Sequence, residues 1–531
     1  GDRMPAEAHP DVQWRPSHSP WLVALTVTLA TFMEVLDTSI ANVALPHIAG
    51  GLSATLDEST WVLTSYLVSN AVVLPISAWI SSRVGRKRFY MSCVVLFTIS
   101  SFLCGFAPNL HSLIFFRILQ GIGGGGLAPS EQAILADTFE PRQRGMGFAM
   151  YGLAVVFAPA IGPTLGGYIV DHASWRWIFY INVPVGIVSL FLSSIMVEDP
   201  PWLEQEKRES RGVQVDWLGL ALVGVGFGCL QVVLDKGQQD DWFSSPLIVI
   251  FTMLTIICLV GTVVWEWVHP NPIVNIRLFK NPNFGASFTL MFTLGAVLYG
   301  STVLIPQFVQ SLMGYTAERA GMVLSPGGFT TMLMMPIVGI LVSRVPAKYL
   351  ITAGFAGLSL ALWHMTSINL QIDPYTATMY RVFQAASLAF LFVPINTVCY
   401  IGVPREQNNQ VSGLMNLARN IGGSVGISFF VTTLARRSQV YQNQLVDKMT
   451  TSNPVLQDRL EHLQQLFSSA GPAEALRRAY GMVYLTIQQQ AAVLAYARII
   501  EDLAIVTAIF VPLILLFVKK NRPGEAPAGA H

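Results

Sequence analysis

Two acidic residues, Glu34 and Asp37, interrupt an apolar stretch that is long enough to cross a lipid bilayer. The stretch covers residues 22–45, and the two carboxylates lie three positions apart. On a helix this spacing places both side chains on one face. An ionised carboxylate in hydrocarbon costs roughly a few kcal/mol or more, and acids in such segments usually mark an ion or substrate path. We therefore predict that Glu34 and Asp37 take part in proton coupling.

A basic partner for Asp37 is predicted at Arg117, in the fourth apolar stretch. At ~1.5 Å per residue, Asp37 lies about 24 Å from the inner boundary and Arg117 about 7–8 Å from the outer one. In a hydrocarbon core of ~30 Å these depths nearly coincide. Burial favours the neutral acid whereas a nearby arginine favours the ionised one, so a change of access would capture or release a proton. A static ion pair that only holds the helices together is the alternative.

The composition is that of a membrane protein that crosses the bilayer many times. Of the 531 residues, 52% are hydrophobic and 12% are charged, whereas soluble domains carry about 25% charged residues. The net charge of +1 gives no indication of a nucleic-acid partner. The five cysteines lack metal-type spacing, so we expect no metal. No cluster of His, Asp or Ser suggests hydrolysis or transfer, and we predict a transporter that uses no cofactor rather than an enzyme.

The apolar stretches of about 20 residues predict membrane-spanning helices. Fourteen are expected, near 21–45, 59–81, 89–107, 112–136, 146–168, 177–197, 216–235, 246–268, 284–308, 319–342, 349–368, 377–401, 410–434 and 499–518. The loops after even-numbered spans carry most of the basic residues, among them Arg83, Arg86, Lys87, Arg88, Arg142, Arg144, Lys207 and Arg208. By the positive-inside rule both termini are expected in the cytoplasm.

An internal repeat divides the spans into two halves. Residues 82–87, Arg117 and 141–142 recur around 343–348, Arg381 and 404–405, at offsets of 261, 264 and 263. We therefore predict two six-helix bundles with two extra helices between them. With an offset near 260, Asp37 corresponds to a position close to Val297, which is not acidic, so we expect the proton chemistry in the first half.

The repeat and the loop pattern define the predicted domains. They are a cytoplasmic segment 1–20, a first bundle 21–197, a linker with two inserted helices 198–268, a second bundle 269–518 that includes a periplasmic helical segment 436–497, and a cytoplasmic tail 519–531. In 436–497, Leu456, Leu460 and Leu463 recur at helical spacing. Two helices are expected there, which either cover the membrane domain or dock a partner.

Three further sets of residues are candidates for the transport cycle. A hinge or gate in span 5 is predicted at Pro159, Gly162, Pro163, Gly166 and Gly167, because proline and glycine make a helix bendable. A cytoplasmic latch is predicted between Asp137 and either Arg83 or Arg86. Polar groups within the spans are candidates for the substrate cavity: Asn70, Gln120, Tyr299, Gln307, Gln384, Asn396 and Asn416.

Several motifs together resemble one family. Residues 36–46 (LDTSIANVALP) are similar to the first-span signature of fourteen-span drug:proton antiporters of the major facilitator superfamily, and residues 175–186 resemble their span 5–6 signature. Residues 152–167 resemble the antiporter motif, Arg117 with Gln120 and Gly121 the proton-coupling motif, and residues 230–245 the EmrB branch. Ala78 and Ser82 depart from the usual loop pattern, which weakens the latch prediction.

The resemblance implies an all-α polytopic fold with two six-helix bundles, two extra helices and both termini cytoplasmic. It implies export of small amphipathic toxic compounds, as in antibiotic resistance, driven by the proton gradient in the bacterial inner membrane. It further implies a periplasmic adaptor (membrane fusion protein) and an outer-membrane channel, with 436–497 facing the adaptor. An exporter of endogenous lipids or fatty acids, a membrane-embedded lipid-processing enzyme and a non-transporting sensor are the alternatives.

Overall fold

The regular structure of this chain is helical. The computed structural model describes Trp14 and residues 16–210, 214–450 and 452–517, and no β-strand occurs within these ranges. The first part of the chain forms α1 Pro20–Gly51, α2 Leu56–Ser59, α3 Trp61–Val84, α4 Arg86–Phe106, α5 Leu110–Gly124, α6 Leu127–Thr138, α7 Arg144–Gly152, α8 Ala158–His172, α9 Trp177–Tyr180 and α10 Asn182–Met196. The predicted tail 519–531 lies outside the described residues, as does most of 1–20.

The remaining helices follow after a short connection. They are α11 Pro201–Ser210, α12 Trp217–Lys236, α13 Pro246–Val268, α14 Pro282–Ser311, α15 Ala317–Leu341, α16 Ala347–Met365, α17 Pro374–Val398, α18 Asn408–Val446, α19 Pro454–Leu466 and α20 Pro472–Phe517.

Ten helical segments of the described chain are long and apolar enough to cross a membrane. They coincide with ten of the expected spans. The other four expected spans fall on α5–α6, α16, α18 and α20. The total of fourteen spans and the cytoplasmic placement of the termini stay predictions.

The helix expected over 112–136 is interrupted at its glycine run. α5 ends at Gly124 and α6 begins at Leu127. A Cβ atom on Gly123 would lie 2.7 Å from the Phe97 backbone nitrogen, and one on Gly125 would lie 2.9 Å from the Asn70 carbonyl oxygen. Only glycine permits this approach to α4 and α3, so the run serves close helix packing.

Of the two inserted helices, α12 contacts both halves. α12 packs against α13 and along α3 of the first half. On its other side Gln231 accepts a hydrogen bond of 3.1 Å from the Ser424 hydroxyl of α18. At the far end of α12, Lys236 donates to the Thr60 hydroxyl and Asp235 accepts from Thr64, which fixes α12 to the start of α3.

The segment 436–497 is continuous with the neighbouring spans rather than a separate unit. α18 runs on to Val446, and α20 extends without a break over Pro472–Phe517. Between them α19 buries Leu456, Leu460 and Leu463 against Ala479 of α20. The helical spacing of these leucines is thereby confirmed.

A tight crossing of α14 and α18 builds the second half. A Cβ atom on Gly422 would overlap the Phe292 carbonyl oxygen. We expect Gly422→Ala to destabilise the protein by about 1–3 kcal/mol, because the backbones would have to separate. The apparent melting temperature of the purified protein in detergent measures this. Gly481→Ala in α20 is the matched control, since nothing lies within 4 Å of its Cβ position; an equal loss in both variants would contradict the packing argument.

Candidate proton-coupling site and substrate path

Asp37 on α1 is the centre of a buried polar cluster in the first half. Its Oδ2 lies 2.6 Å from Arg117 Nη1 on α5. Its Oδ1 accepts hydrogen bonds from Asn182 Nδ2 of α10 at 2.7 Å and from Gln120 Nε2 at 3.1 Å. All four side chains are buried. The carboxylate is thus matched by one charge and two neutral donors in a water-poor environment, as a buried acid requires.

Arg117 is held in place by groups other than Asp37. Its Nε donates to the Val62 carbonyl at 3.0 Å, and its Nη1 also donates to Gln120 Oε1 at 2.7 Å. The guanidinium lies over the Tyr66 ring at 4.3 Å from the ring centroid. Because these contacts persist without Asp37, protonation of the acid weakens one interaction and leaves the arginine positioned.

Glu34 lies one turn from Asp37 and faces the middle of the molecule. Tyr66 Oη donates to Glu34 Oε1 at 3.0 Å, and Asn70 Nδ2 donates to the same oxygen at 3.3 Å. The positive charge of Arg419, on α18 of the second half, acts on this carboxylate. Glu34 therefore lies where the two halves meet, whereas Asp37 lies inside the first half.

The second half contains a counterpart of the Asp37 cluster that has no acid. Arg381 Nη1 donates to Gln384 Oε1 at 2.8 Å, and Gln384 Nε2 donates to the Ser301 hydroxyl. Arg117, Gln120 and Asp37 are each 264 positions before Arg381, Gln384 and Ser301. The expected correspondence of Asp37 with Val297 was wrong by one helical turn, because the approximate offset did not resolve the register. The absence of an acid at this position is nevertheless as expected.

Arg381 is a buried cation with a single neutral acceptor. It is 1% exposed, its Nε has no hydrogen-bond partner, and within the described ranges no acid pairs with it. A guanidinium at this depth is expected to be paired or to line a polar path. The Arg381 cluster therefore carries an uncompensated positive charge, whereas the Asp37 cluster of the first half is neutral.

A chain of hydrogen bonds joins the two halves. Gln132 Nε2 donates to Asn396 Oδ1 at 2.8 Å, and Asn416 Nδ2 donates to Gln132 Oε1 at 2.6 Å. Tyr151 Oη donates to Asn416 Oδ1 at 2.5 Å and accepts from Arg419 Nη1 at 2.5 Å. α6 and α7 of the first half are thereby bonded to α17 and α18 of the second.

The predicted latch residues lie at one end of this interface. Arg86 Nη1 and Asp137 Oδ2 are 2.7 Å apart, and each side chain is 1% exposed. Asn408 Nδ2 of the second half donates to Asp137 Oδ1 at 2.6 Å. Arg83 instead donates to the Gln214 carbonyl and lies over the Trp79 ring. The structure thus brings Asp137 to Arg86 and not to Arg83.

The predicted hinge lies between the Asp37 helix and the second half. A π-helical turn, Leu153–Phe157, ends two residues before Pro159, whose carbonyl accepts from the Ser39 hydroxyl at 3.3 Å. A Cβ atom on Gly166 would lie 3.0 Å from Ile40, so α8 closely approaches α1. On the same helix Thr164 shares a 3.0 Å hydrogen bond with Ser325 of α15. The remaining predicted hinge residues, Gly162, Pro163 and Gly167, lie on the same helix, α8.

The seven predicted cavity residues do not form one group. Gln120 belongs to the Asp37 cluster, Gln384 to the Arg381 cluster, and Asn70 to Glu34. Asn396 and Asn416 belong to the interface chain, and Tyr299 contacts Gly423 near Arg419. Gln307 lies apart from them on α14 and is only partly buried.

Sequence reasoning missed four participants: Asn182, Tyr66, Gln132 and Tyr151. Each is a polar residue inside an apolar span. That pattern alone also describes residues that only satisfy the backbone. Their partners come from distant parts of the chain, with 145 positions between Asn182 and Asp37 and 265 between Tyr151 and Asn416.

The repeated helical halves and the charged clusters at their centre are those of a secondary membrane transporter, not of an enzyme. Residues 27–427 match the Major Facilitator Superfamily, and the chain belongs to this family. Within it the chain is similar to multidrug export proteins. It is 34% identical over 523 residues to Multidrug export protein EmrB of Escherichia coli (strain K12), covering 98% of this chain and 100% of that protein.

A second relative is named for a different activity. The chain is 34% identical over 514 residues to Fatty acid resistance protein FarB of Neisseria gonorrhoeae, covering 96% of this chain and 97% of that one. Among solved structures, the proton:xylose symporter XylE bound to 6-bromo-6-deoxy-D-glucose superimposes with a TM-score of 0.60 at 14% identity, covering 96% of this chain and 97% of that one. At this identity the likeness concerns the fold alone.

The Arg86–Asp137 pair can be tested by a double-mutant cycle. Asp137→Asn and Arg86→Gln each leave a buried partner unmatched, so we expect a coupling of about 1–3 kcal/mol between the two changes. The unfolding free energy in denaturant measures it. The control cycle uses Arg83→Gln with Asp137→Asn and is expected to show coupling below about 0.5 kcal/mol. Equal coupling in both cycles would mean that the observed pairing does not stabilise the fold.

Proposed function

We propose that this protein exports small amphipathic toxic compounds in exchange for protons, by alternating access between its two halves. The observation that carries the proposal is the buried Asp37–Arg117 pair at 2.6 Å, with Asn182 and Gln120 completing the cluster. An acid buried in this way changes its protonation only when its surroundings change. Similarity to a multidrug export protein over nearly the whole chain supports the class of cargo.

The contacts of α8 provide a route from the acid to the opposite half. Protonation of Asp37 removes the charge that attracts Arg117, which frees α1 to shift relative to α5. α1 lies against α8 through Ile40 and Gly166, and α8 lies against α15 through Thr164 and Ser325. The π-helical turn before Pro159 is an irregularity of the kind often found at functional sites, and it provides a hinge for this movement.

Alternation requires the interface contacts to break on one side. The Gln132–Asn396 and Asn416–Gln132 hydrogen bonds and the Asp137–Asn408 contact hold that side closed. We assign it to the cytoplasm from the distribution of basic residues in the loops. Each proton that enters down a membrane potential of 100 mV supplies about 2.3 kcal/mol, enough to offset a few such contacts.

We further propose that the protein works in the bacterial inner membrane with a periplasmic adaptor and an outer-membrane channel. The extension formed by the end of α18, α19 and the start of α20 projects beyond the predicted spans and offers a helical surface for such an adaptor. It carries exposed apolar side chains, including Val455 and Leu466. Shielding of its own membrane domain is the alternative role.

The proton assignment is tested with purified protein in proteoliposomes. The probe is ethidium or oleate, whichever the wild type exports, and substrate-driven proton release is recorded with a pH-sensitive dye. We expect Asp37→Asn to abolish coupled proton release, because the amide keeps the size of the side chain and one acceptor oxygen but cannot exchange a proton. Asp171→Asn, the same change at an exposed acid of α8, is expected to behave as wild type. Full-rate exchange in Asp37→Asn would refute the central assignment.

Export of fatty acids or lipids is the second candidate function. The unpaired guanidinium of Arg381 favours it, because a carboxylate on the cargo would neutralise this charge. Similarity to a fatty acid resistance protein over 96% of this chain also supports it. The same scaffold can carry both kinds of cargo if the carboxylate occupies the Arg381 cluster and the apolar body occupies the space between the halves.

This candidate function is tested by comparing the export of an anionic compound, oleate, with that of a cationic compound, ethidium. A hydrogen bond to a charged group contributes about 1.5–3 kcal/mol, so Arg381→Gln is expected to lower oleate efflux about tenfold or more while ethidium efflux changes little. Whole-cell efflux of the two probes measures this. Arg319→Gln, at an exposed arginine of α15, is the control. An equal decrease for both probes would assign Arg381 to structure rather than to recognition of the carboxylate.

A further inference from the structure

A third buried acid, Glu131 on α6, takes no part in the mechanism above. Its side chain is 0% exposed. Thr28 of α1 donates a hydrogen bond of 2.7 Å to Oε1, whereas Oε2 is buried without a partner. The Thr31 hydroxyl, close to the carboxyl group, is likewise without a hydrogen bond. An ionised carboxylate with one unsatisfied oxygen is costly at this depth.

The charges around Glu131 do not balance. It faces Glu34 from α1, Tyr90 from α4, Tyr151 from α7 and Arg419 from α18. On α3, Tyr66 is hydrogen-bonded to Glu34, and Arg117 of α5 is paired with Asp37. Arg419, the cation of this group that forms no ion pair in the described structure, therefore interacts electrostatically with two acids, Glu34 and Glu131. If both were ionised, one negative charge would stay buried without compensation.

Hydrogen bonding distinguishes the two acids. Glu34 accepts from both Tyr66 and Asn70 and is 8% exposed. Glu131 accepts a hydrogen bond of 2.7 Å from Thr28, has only the Thr31 hydroxyl as a further donor nearby, and is fully buried. Donors stabilise the ionised form of a carboxylate, so Glu34 is the better site for the charge and Glu131 for the proton. With a proton on Oε2, the neighbouring Thr31 oxygen becomes an acceptor.

The position of Glu131 connects the proton to the movement of the halves. The next residue, Gln132, makes the hydrogen bonds to Asn396 and Asn416 that close the predicted cytoplasmic side. Thr28, its partner, lies nine residues before Asp37, or about 13 Å along α1 towards that side. When those contacts break, water reaches α6 and hydration lowers the free-energy cost of the ionised form of Glu131.

We propose that Glu131 is a second proton-binding site, occupied while the two halves are closed at Gln132 and emptied to the predicted cytoplasmic side when they separate there. The O–H bond on Oε2 breaks, the proton goes to water, and the carboxylate keeps the electron pair. In series with Asp37 and Glu34, Glu131 is the inner end of a proton path. The proton path depends on the proposed antiport, whereas the binding of a proton by Glu131 in the closed state is independent of it.

Infrared spectroscopy of the purified full chain shows directly whether Glu131 carries a proton. At about pH 7 exposed carboxylic acids are ionised, so a neutral-acid carbonyl band reports buried protonated groups. We expect the wild type to show such a band, Glu131→Gln to lose it, and Glu131→Asp to retain it at a shifted frequency. Glu461→Gln, at an exposed acid of α19, is expected to leave it unchanged. Glu131→Gln keeps the shape of the side chain and the Thr28 acceptor.

Two results would overturn the proposal. If the band is unchanged in Glu131→Gln, the site holds no proton; if it disappears in Glu34→Gln instead, the proton resides on Glu34. Transport supplies the second readout. Efflux by the wild type and Glu131→Asp is expected to depend on the internal pH, whereas this dependence is lost in Glu131→Gln. Normal antiport in Asp37→Asn together with a Glu131 band would refute the proposed function and leave the proton site intact.

Discussion

The structure depends on one constraint, which is that a charge removed from water must be compensated where it lies. Asp37 meets this constraint within the first half through Arg117, Asn182 and Gln120. Four helical elements, α1, α5, α10 and the start of α3, are brought together to satisfy two ionised side chains. A cluster that is balanced only when complete also responds when one charge is removed, so the same contacts that stabilise the fold can act as a switch.

The two halves satisfy the constraint differently at positions that the sequence repeat relates. In the second half Ser301 occupies the position of Asp37, while Arg381 and Gln384 keep the geometry of Arg117 and Gln120. The first half is therefore neutral at this point and the second is cationic. This asymmetry agrees with the proposed function, in which one half binds the coupling proton and the other presents a charge to the transported compound.

Polar side chains form part of the contact between the halves. Gln132, Asn396, Asn416, Tyr151 and Arg419 form a chain of hydrogen bonds across it, and Arg86, Asp137 and Asn408 close one end. Polar contacts can be exchanged for contacts with water at modest free-energy change, whereas the glycine-packed crossing of α14 and α18 cannot.

The sequence by itself determined the class of protein, the helical spans and the pairing of Asp37 with Arg117, because length, hydropathy and depth along a helix are local properties. It also indicated the repeat, but the register that pairs Asp37 with Ser301 rather than Val297 needed the packed helices. Only the tertiary structure decided that Asp137 meets Arg86 and not Arg83, that Asn182 completes the Asp37 cluster, and that Glu131 shares Arg419 with Glu34. These contacts join residues 51 to 385 positions apart, and which groups share a charge depends on helix rotation and packing that no local pattern records.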